Sequence, residues 1–307
     1  MEVMVTIIPI FTIIALGWIA RVKGFLPDAF MGPANRLVYY WAIPAMIFRS
    51  IYQGSFRMHF NPRVLFISAG CIVAVFFLAF LSGIIARIDK KLMGSFIQSS
   101  FHGNLGYIGL AVSYYYLGKE GFVKAGILAG FIMILQNFLA VVVLRLYSDN
   151  TASKMNARSV FFGVMANPVI VAAMGGILVS LGQFDIPIVV DRSLNILSGM
   201  ALPMALLLIG ASLSFKMIHH RIFPVFFSSV FKLMLLPALA LLFYTAFSES
   251  ADNYLPGLIL LASPTATIVY VMAQEMKNDT QLPVATISLS TLLSVLTFSF
   301  WIMVGTR

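Results

Sequence analysis

The residues best able to do chemistry in this chain are neutral, and they sit where an apolar helix should run unbroken. The stretch FHGNLGYIGLAVSYYY, Phe101 to Tyr116, places Gly103, Asn104, Gly106 and Gly109 inside a segment that hydropathy alone reads as membrane-spanning. Glycine weakens a helix by about 1 kcal/mol against alanine. The short asparagine amide competes for backbone hydrogen bonds. The helix is expected to break there, and lipid cannot satisfy the N–H and C=O groups so freed, so the break must be buried in protein or line a wet cavity. A second apolar stretch, LASPTATIVYVMAQE (Leu261 to Glu275), is interrupted by Ser263, Pro264 and Thr265. Proline removes a backbone donor and clashes with the preceding turn. Half-helices beginning near Gly106–Ile108 and near Thr265–Thr267 would each present unpaired N–H groups and about half a positive charge. With the amide of Asn104 and the hydroxyl of Ser263 beside them, such a site suits a small anion, above all a carboxylate. The half-helices that end at the same place bring carbonyls, so the net field depends on geometry.

Each candidate has a purely structural alternative. Asn104 can satisfy backbone groups freed by the break, and Ser263 and Thr265 can cap the second half-helix. Gln136 and Asn137 lie mid-span in the fifth apolar run, where two amides are costly. They face different directions, so one can reach the site while the other bonds between helices. Tyr107 can stack on a ligand or serve as a core aromatic. His102, beside the break, is a candidate for proton coupling. The apolar runs hold almost no carboxylates, with Glu275 at the end of the ninth and Asp89, Asp185, Asp191, Asp252 and Asp279 in loops. Proton relays and sodium sites in membranes usually use buried Asp or Glu, so the midplane reads as polar but uncharged. No spacing suggests a catalytic residue, a metal site or a phosphate loop; no enzyme activity and no cofactor are expected.

The elements that must position these residues follow from composition. The chain has 307 residues, 60% apolar and 10% charged, where soluble domains carry about 25% charge. This is an integral membrane protein, and the net charge of +9 marks loop orientation and not nucleic-acid binding. The first apolar run, Val3 to Ala20, follows Glu2 and no basic leader, so it reads as a first span. The single cysteine, Cys71, excludes a disulfide within the chain. Apolar runs near 3–20, 35–53, 64–86, 95–117, 122–147, 160–181, 193–213, 222–247, 255–275 and 282–304 give ten spans, each long enough for about 30 Å of hydrocarbon.

The two interruptions are related by a shift of 159, since 263 − 104 = 159. The same shift relates Pro9 to Pro168, Gly17 to Gly176, Ala42 to Ala201 and Pro44 to Pro203, and also Ser55, Phe56, Arg57 and Met58 to Ser214, Phe215, Lys216 and Met217. The chain therefore reads as two repeats, 1–150 and 160–307, joined by a cytoplasmic linker at 151–159 within SDNTASKMNARS. Five spans per repeat force the halves into opposite orientations. Twelve basic residues on one set of loops against seven on the other favour a multi-pass protein of the cell membrane with both termini non-cytoplasmic. Lys232 lies inside a span, near the cytoplasmic side.

At this level the chain resembles the auxin efflux carrier family, which includes plant efflux carriers and bacterial malonate- and malate-type permeases. The resemblance runs from IIPIFTIIALGWIARVKGFLP (Ile7–Pro27) through NRLVYYWAIPAMIFRSI (Asn35–Ile51), GNLGYIGL (Gly103–Leu110), ALLLIGASL (Ala205–Leu213) and SPTATIVYVMAQE (Ser263–Glu275) to STLLSVLTFSFWI (Ser290–Ile302). It implies an all-α protein of ten transmembrane helices in two inverted five-helix repeats, with the fourth and ninth helices crossing at broken centres marked by Asn104 and Pro264. It implies a scaffold of helices 1, 2, 6 and 7 (about 3–53 and 160–213) that often forms a homodimer, and a mobile transport unit (about 64–147 and 222–304). The partners implied are a small carboxylate and the lipid bilayer. Family members usually carry proline just after the first Gly-Leu; here Ala111 stands there, so the first break rests on glycine and asparagine. The expectation is an elevator-type carrier of an organic anion, driven by potential or weakly coupled to protons. The alternatives are a sodium-coupled symporter built like the bile-acid carriers, with sodium among carbonyls near Gln136, Asn137 or Gln274, and a membrane sensor that binds without transport.

Overall fold

A computed structural model describes residues 2–54, 56–148, 167–214 and 222–306. The expected linker at 151–159, residues 160–166, Ser55 and the matched Phe215, Lys216 and Met217 lie outside the described residues. Among the described residues the structure is helical, and its β-type pairing is an isolated antiparallel bridge between Gly103 and Thr265.

In the first half, α1 is Glu2–Val22, α2 is Asp28–Leu37 and α3 is Ile43–Gln53, with a π-helical turn at Val38–Ala42 joining α2 to α3. A short α4 (Phe56–His59) leads to α5 (Pro62–Ile85), whose start Asn61 caps by accepting from the amides of Arg63 and Val64. α6 (Lys90–Phe101), capped by Asp89, ends at the first break; a π turn at Leu105–Gly109 then enters α7 (Leu110–Leu146). α7 is bent at Gly118, where φ is 68° and ψ −163°, a left-handed φ that glycine tolerates without a Cβ penalty.

The second half runs α8 (Pro168–Gly182), α9 (Ile188–Gly199) and α10 (Ala201–Ser212). α11 (Ile222–Val230) passes through a π turn at Phe231–Leu235 into α12 (Leu236–Ala246). α13 (Ala251–Ala262) ends at the second break, followed by α14 (Ile268–Glu275) and α15 (Gln281–Gly305). Among the described residues, six helical stretches are long and apolar enough to cross a membrane: Val3–Val22, Pro62–Ile85, Leu105–Leu146, Ile188–Ser212, Ile222–Ala246 and Gln281–Gly305. Their outer faces carry exposed Val5, Phe66, Ile85, Leu242 and Leu296, as side chains facing hydrocarbon would.

Two close helix contacts organise the flank away from the breaks. Gly17 of α1 faces the carbonyl oxygen of Leu207 in α10, where an added Cβ would stand 2.1 Å away. Gly176 of α8 faces the carbonyl of Phe48 in α3, at 3.0 Å for the same added atom. Both glycines and both carbonyls are related by the shift of 159, so the close approach is made twice with the halves exchanged. Backbones this near need residues without side chains, and small residues serve this purpose between membrane helices.

Prolines inside helices leave the carbonyl four residues earlier without its donor, and here other helices supply one. Pro237 strands the carbonyl of Leu233, which accepts from the Trp301 indole at 2.7 Å. Pro256 strands that of Asp252, which accepts from Lys124 Nζ at 3.2 Å. Hydrogen bonds of this kind tie α15 to the π turn at Phe231–Leu235, and α7 to α13.

Candidate functional site: two crossed helix breaks

The two interruptions meet. Asn104 donates its amide N–H to the carbonyl of Pro264 at 2.8 Å, and Ala266 donates to the carbonyl of His102 at 3.0 Å. These bonds form the Gly103–Thr265 bridge, so the chain crosses itself in two short extended segments where α6 and α13 end. The antiparallel bridge has a local dyad through Gly103 and Thr265, which sets Asn104 opposite Pro264.

The carbonyls freed at the breaks are met from within the protein. At the end of α6, the Ser99 carbonyl accepts from Thr265 Oγ1 at 3.0 Å and the Phe101 carbonyl from Gln136 Nε2 at 3.2 Å. At the end of α13, the Leu260 carbonyl accepts from Ser263 Oγ at 2.7 Å and the Leu261 carbonyl from Lys232 Nζ at 2.6 Å. Thr265, Gln136 and Ser263 are all fully buried, each with a hydrogen bond to a helix end. The amide of Thr265 itself donates to Ser290 Oγ at 3.1 Å.

Amides at the opposite ends are in a different position. The first N–H groups of a helix have no acceptor within it, which applies at Gly106–Ile108 and at Thr267–Ile268. In the first break and the last turn of α6, buried polar side-chain atoms bond no protein group: Asn104 Nδ2, His102 Nδ1 and Ser99 Oγ. Asn104 and His102 are only 6% and 4% exposed, and a buried polar group without a partner costs about 1–3 kcal/mol. Tyr107 and Asn137 are half-buried, and Gly106 packs beneath Met133. The His102 ring stacks on Phe101 with centroids 6.0 Å apart.

Lys232 overturns the reading of an uncharged centre. It is the one fully buried charged side chain among the described residues. No carboxylate lies within salt-bridge range of it there. Its backbone belongs to the π turn at Phe231–Leu235, and its stem carries the ammonium to the crossing. A Cβ added at Gly103 would lie 2.9 Å from Lys232 Cε, 3.0 Å from Nζ and 2.7 Å from Ser263 Oγ. Gly103 is therefore needed less for its freedom of φ than because the tip of Lys232 fills the space. Hydropathy does not see this, since one lysine in an apolar run looks like a residue reaching toward the interface. The signal that could have found it is Pro237, five residues on, which disturbs the helix beneath Lys232.

The crossed breaks, with their carbonyl ends covered, lie inside an apolar bundle. A family model described as "Membrane transport protein" matches residues 2–302. The chain belongs to this family, the one that the auxin efflux carrier resemblance indicated. This family member is a multi-pass membrane transporter. It is 26% identical over 304 residues to an uncharacterized transporter of Methanocaldococcus jannaschii, covering 94% of each chain. It is 26% identical over 304 residues to a Rhizobium meliloti protein named "Putative malonate transporter", covering 96% of this chain and 93% of the relative. An uncharacterized transporter of Escherichia coli is 24% identical over 307 residues, covering 97% and 96%.

A cleft of about 470 Å³ lies apart from the crossing, lined by Tyr52, Gln53, Ser180, Gln183, Asp185 and Asp191. There Asp191 accepts from Arg49 Nε at 2.9 Å, from Gln53 Nε2 at 3.1 Å and from the Tyr52 hydroxyl. One carboxylate with three side-chain donors from α3 pins the start of α9 to it, which is a structural role.

Proposed function

We propose that the protein is a secondary active transporter that carries a small organic carboxylate, with the anion held at the crossing of the two broken helices. The observation that carries this reading is the division of polar groups at the crossing. Thr265, Gln136, Ser263 and Lys232 cover the carbonyl ends of α6 and α13, and the amide ends at Gly106–Ile108 and Thr267–Ile268 are left to a ligand. A carboxylate is the ligand that helix N-termini favour. Asn104 Nδ2 has no protein partner and can donate to its oxygen, Tyr107 and Asn137 flank it, and His102 is the group through which a proton could be coupled. The relative named for malonate fits this substrate class.

In this reading the helices make ten spans in two inverted five-helix repeats, α7 being divided at Gly118 and α8 counting as a sixth span. The exchanged pair Gly17–Leu207 and Gly176–Phe48 and the local dyad at Gly103–Thr265 are what such a repeat would produce. The unit α1–α3 with α8–α10 acts as a scaffold through which two copies pair. The crossing moves past it in an elevator-type step, with both termini outside the cytoplasm. Ser263, Thr265 and Gln136 then contribute to the site by holding the breaks open, with Gly103 and Pro264 setting where they fall.

The test is uptake of labelled mono-, di- and aromatic carboxylates into proteoliposomes. Wild type is expected to accumulate at least one class, and Asn104→Ala to lose that uptake while remaining folded. If no acid on the panel moves, the reading fails. Ligand-induced thermal stabilisation without flux would favour a sensor.

A further inference from the structure

We propose that Lys232 is a tethered cation that occupies the place of a coupling ion at the crossing, so that anion transport needs no sodium. This deepens the transport reading above and rests on it for its meaning. In membrane carriers with broken helices, unwound carbonyls and half-helix C-termini are the groups that coordinate a sodium ion or a proton. Here the equivalent end, at α13, is held by the Lys232 ammonium, 2.6 Å from the Leu261 carbonyl. The ammonium also stands against the backbone of Gly103, between the two breaks. It neutralises the negative pole of α13 without any carboxylate in range among the described residues. A free cation arriving there would meet a space already filled by Cε and Nζ. Among the described residues no group of three or more His, Cys, Asp or Glu side chains converges.

The test uses the purified full chain in detergent and needs neither substrate nor flux, so it can fail while the transport reading stands, and the reverse. Thermal unfolding is followed in sodium chloride and in choline chloride at equal ionic strength. Wild type and Lys232→Arg, which keep the charge, are expected to melt at the same temperature in both salts. Lys232→Ser, which removes the ammonium and leaves a hydroxyl with room beside the Leu261 carbonyl, is expected to melt lower in choline and to recover saturably as sodium is added. Lys232→Met, which refills the space without an oxygen, is expected to melt low in both salts. A saturable sodium stabilisation of wild type or of Lys232→Arg overturns the proposal. So does a Lys232→Ser protein that ignores sodium, or one that melts like wild type in choline. If Lys232→Ser does not fold, wild type and Lys232→Arg decide the question with radioactive sodium, whose binding to either would refute it.

Discussion

Alanine at Gly210 should damage this protein more than alanine at almost any other helical glycine. A Cβ there would lie 1.8 Å from the carbonyl oxygen of Ile14, 2.7 Å from its carbon and 3.0 Å from the amide of Trp18. All three are backbone atoms of α1, so no side chain can rotate aside. Opening 1.8 Å to an ordinary contact of 3.4 Å requires α1 and α10 to part by 1.6 Å. Overpacking of this kind costs about 1–3 kcal/mol, with a rigid backbone at the upper end. The helix propensity of alanine returns about 1 kcal/mol, leaving a net loss of roughly 2 kcal/mol. Gly17→Ala meets the Leu207 carbonyl at 2.1 Å and should behave alike. Gly70→Ala in α5 is the control: nothing lies within 4 Å of its added Cβ, and propensity alone should stabilise it by up to about 1 kcal/mol. Unfolding can be followed with a maleimide fluorophore, because the sole thiol, Cys71, is buried in the fold. The reasoning is refuted if Gly210→Ala melts at or above wild type, or if Gly70→Ala is equally damaging.

Gln136→Leu leaves the Phe101 carbonyl without its donor and should lower stability by about 1–3 kcal/mol with carboxylate affinity retained. Lost affinity at an unchanged melting temperature would instead put Gln136 on the ligand. Trp301→Phe removes the donor that replaces the one missing at Pro237, at a cost of about 1 kcal/mol. In a Pro237→Ala background, where the backbone N–H returns, the same change should cost less, and a double-mutant cycle in thermal unfolding measures the difference. Gly103→Val drives a side chain into Lys232 and Ser263; uptake should fall well below wild type with helix content by circular dichroism preserved. Full uptake by this variant would mean that the tip of Lys232 is not held where the structure places it.

Some of this was legible in the sequence because it is local chemistry. Gly103, Asn104 and Pro264 weaken a helix locally, and the breaks fall beside them. The shift of 159 that relates Gly17 to Gly176 also relates the two contacts they make. The pairing at the crossing was not legible, since no residue type repeats at 103 and 265. Nor could the sequence assign partners to Thr265 and Gln136, whose bonds run to carbonyls of α6. Lys232 was missed for the same reason. Where a four-carbon stem ends depends on the π turn above Pro237 and on the space at Gly103, which are facts of packing.

The account stands most directly on charge movement through the crossing. Membranes reconstituted with the protein can be given a sudden step of a small organic carboxylate, with choline as the cation, and the current recorded. Wild type is predicted to carry negative charge in the direction of the gradient, with the same amplitude when sodium replaces choline, and Asn104→Ala to carry none. A current of equal size from Asn104→Ala, or none from wild type with any carboxylate, would contradict it.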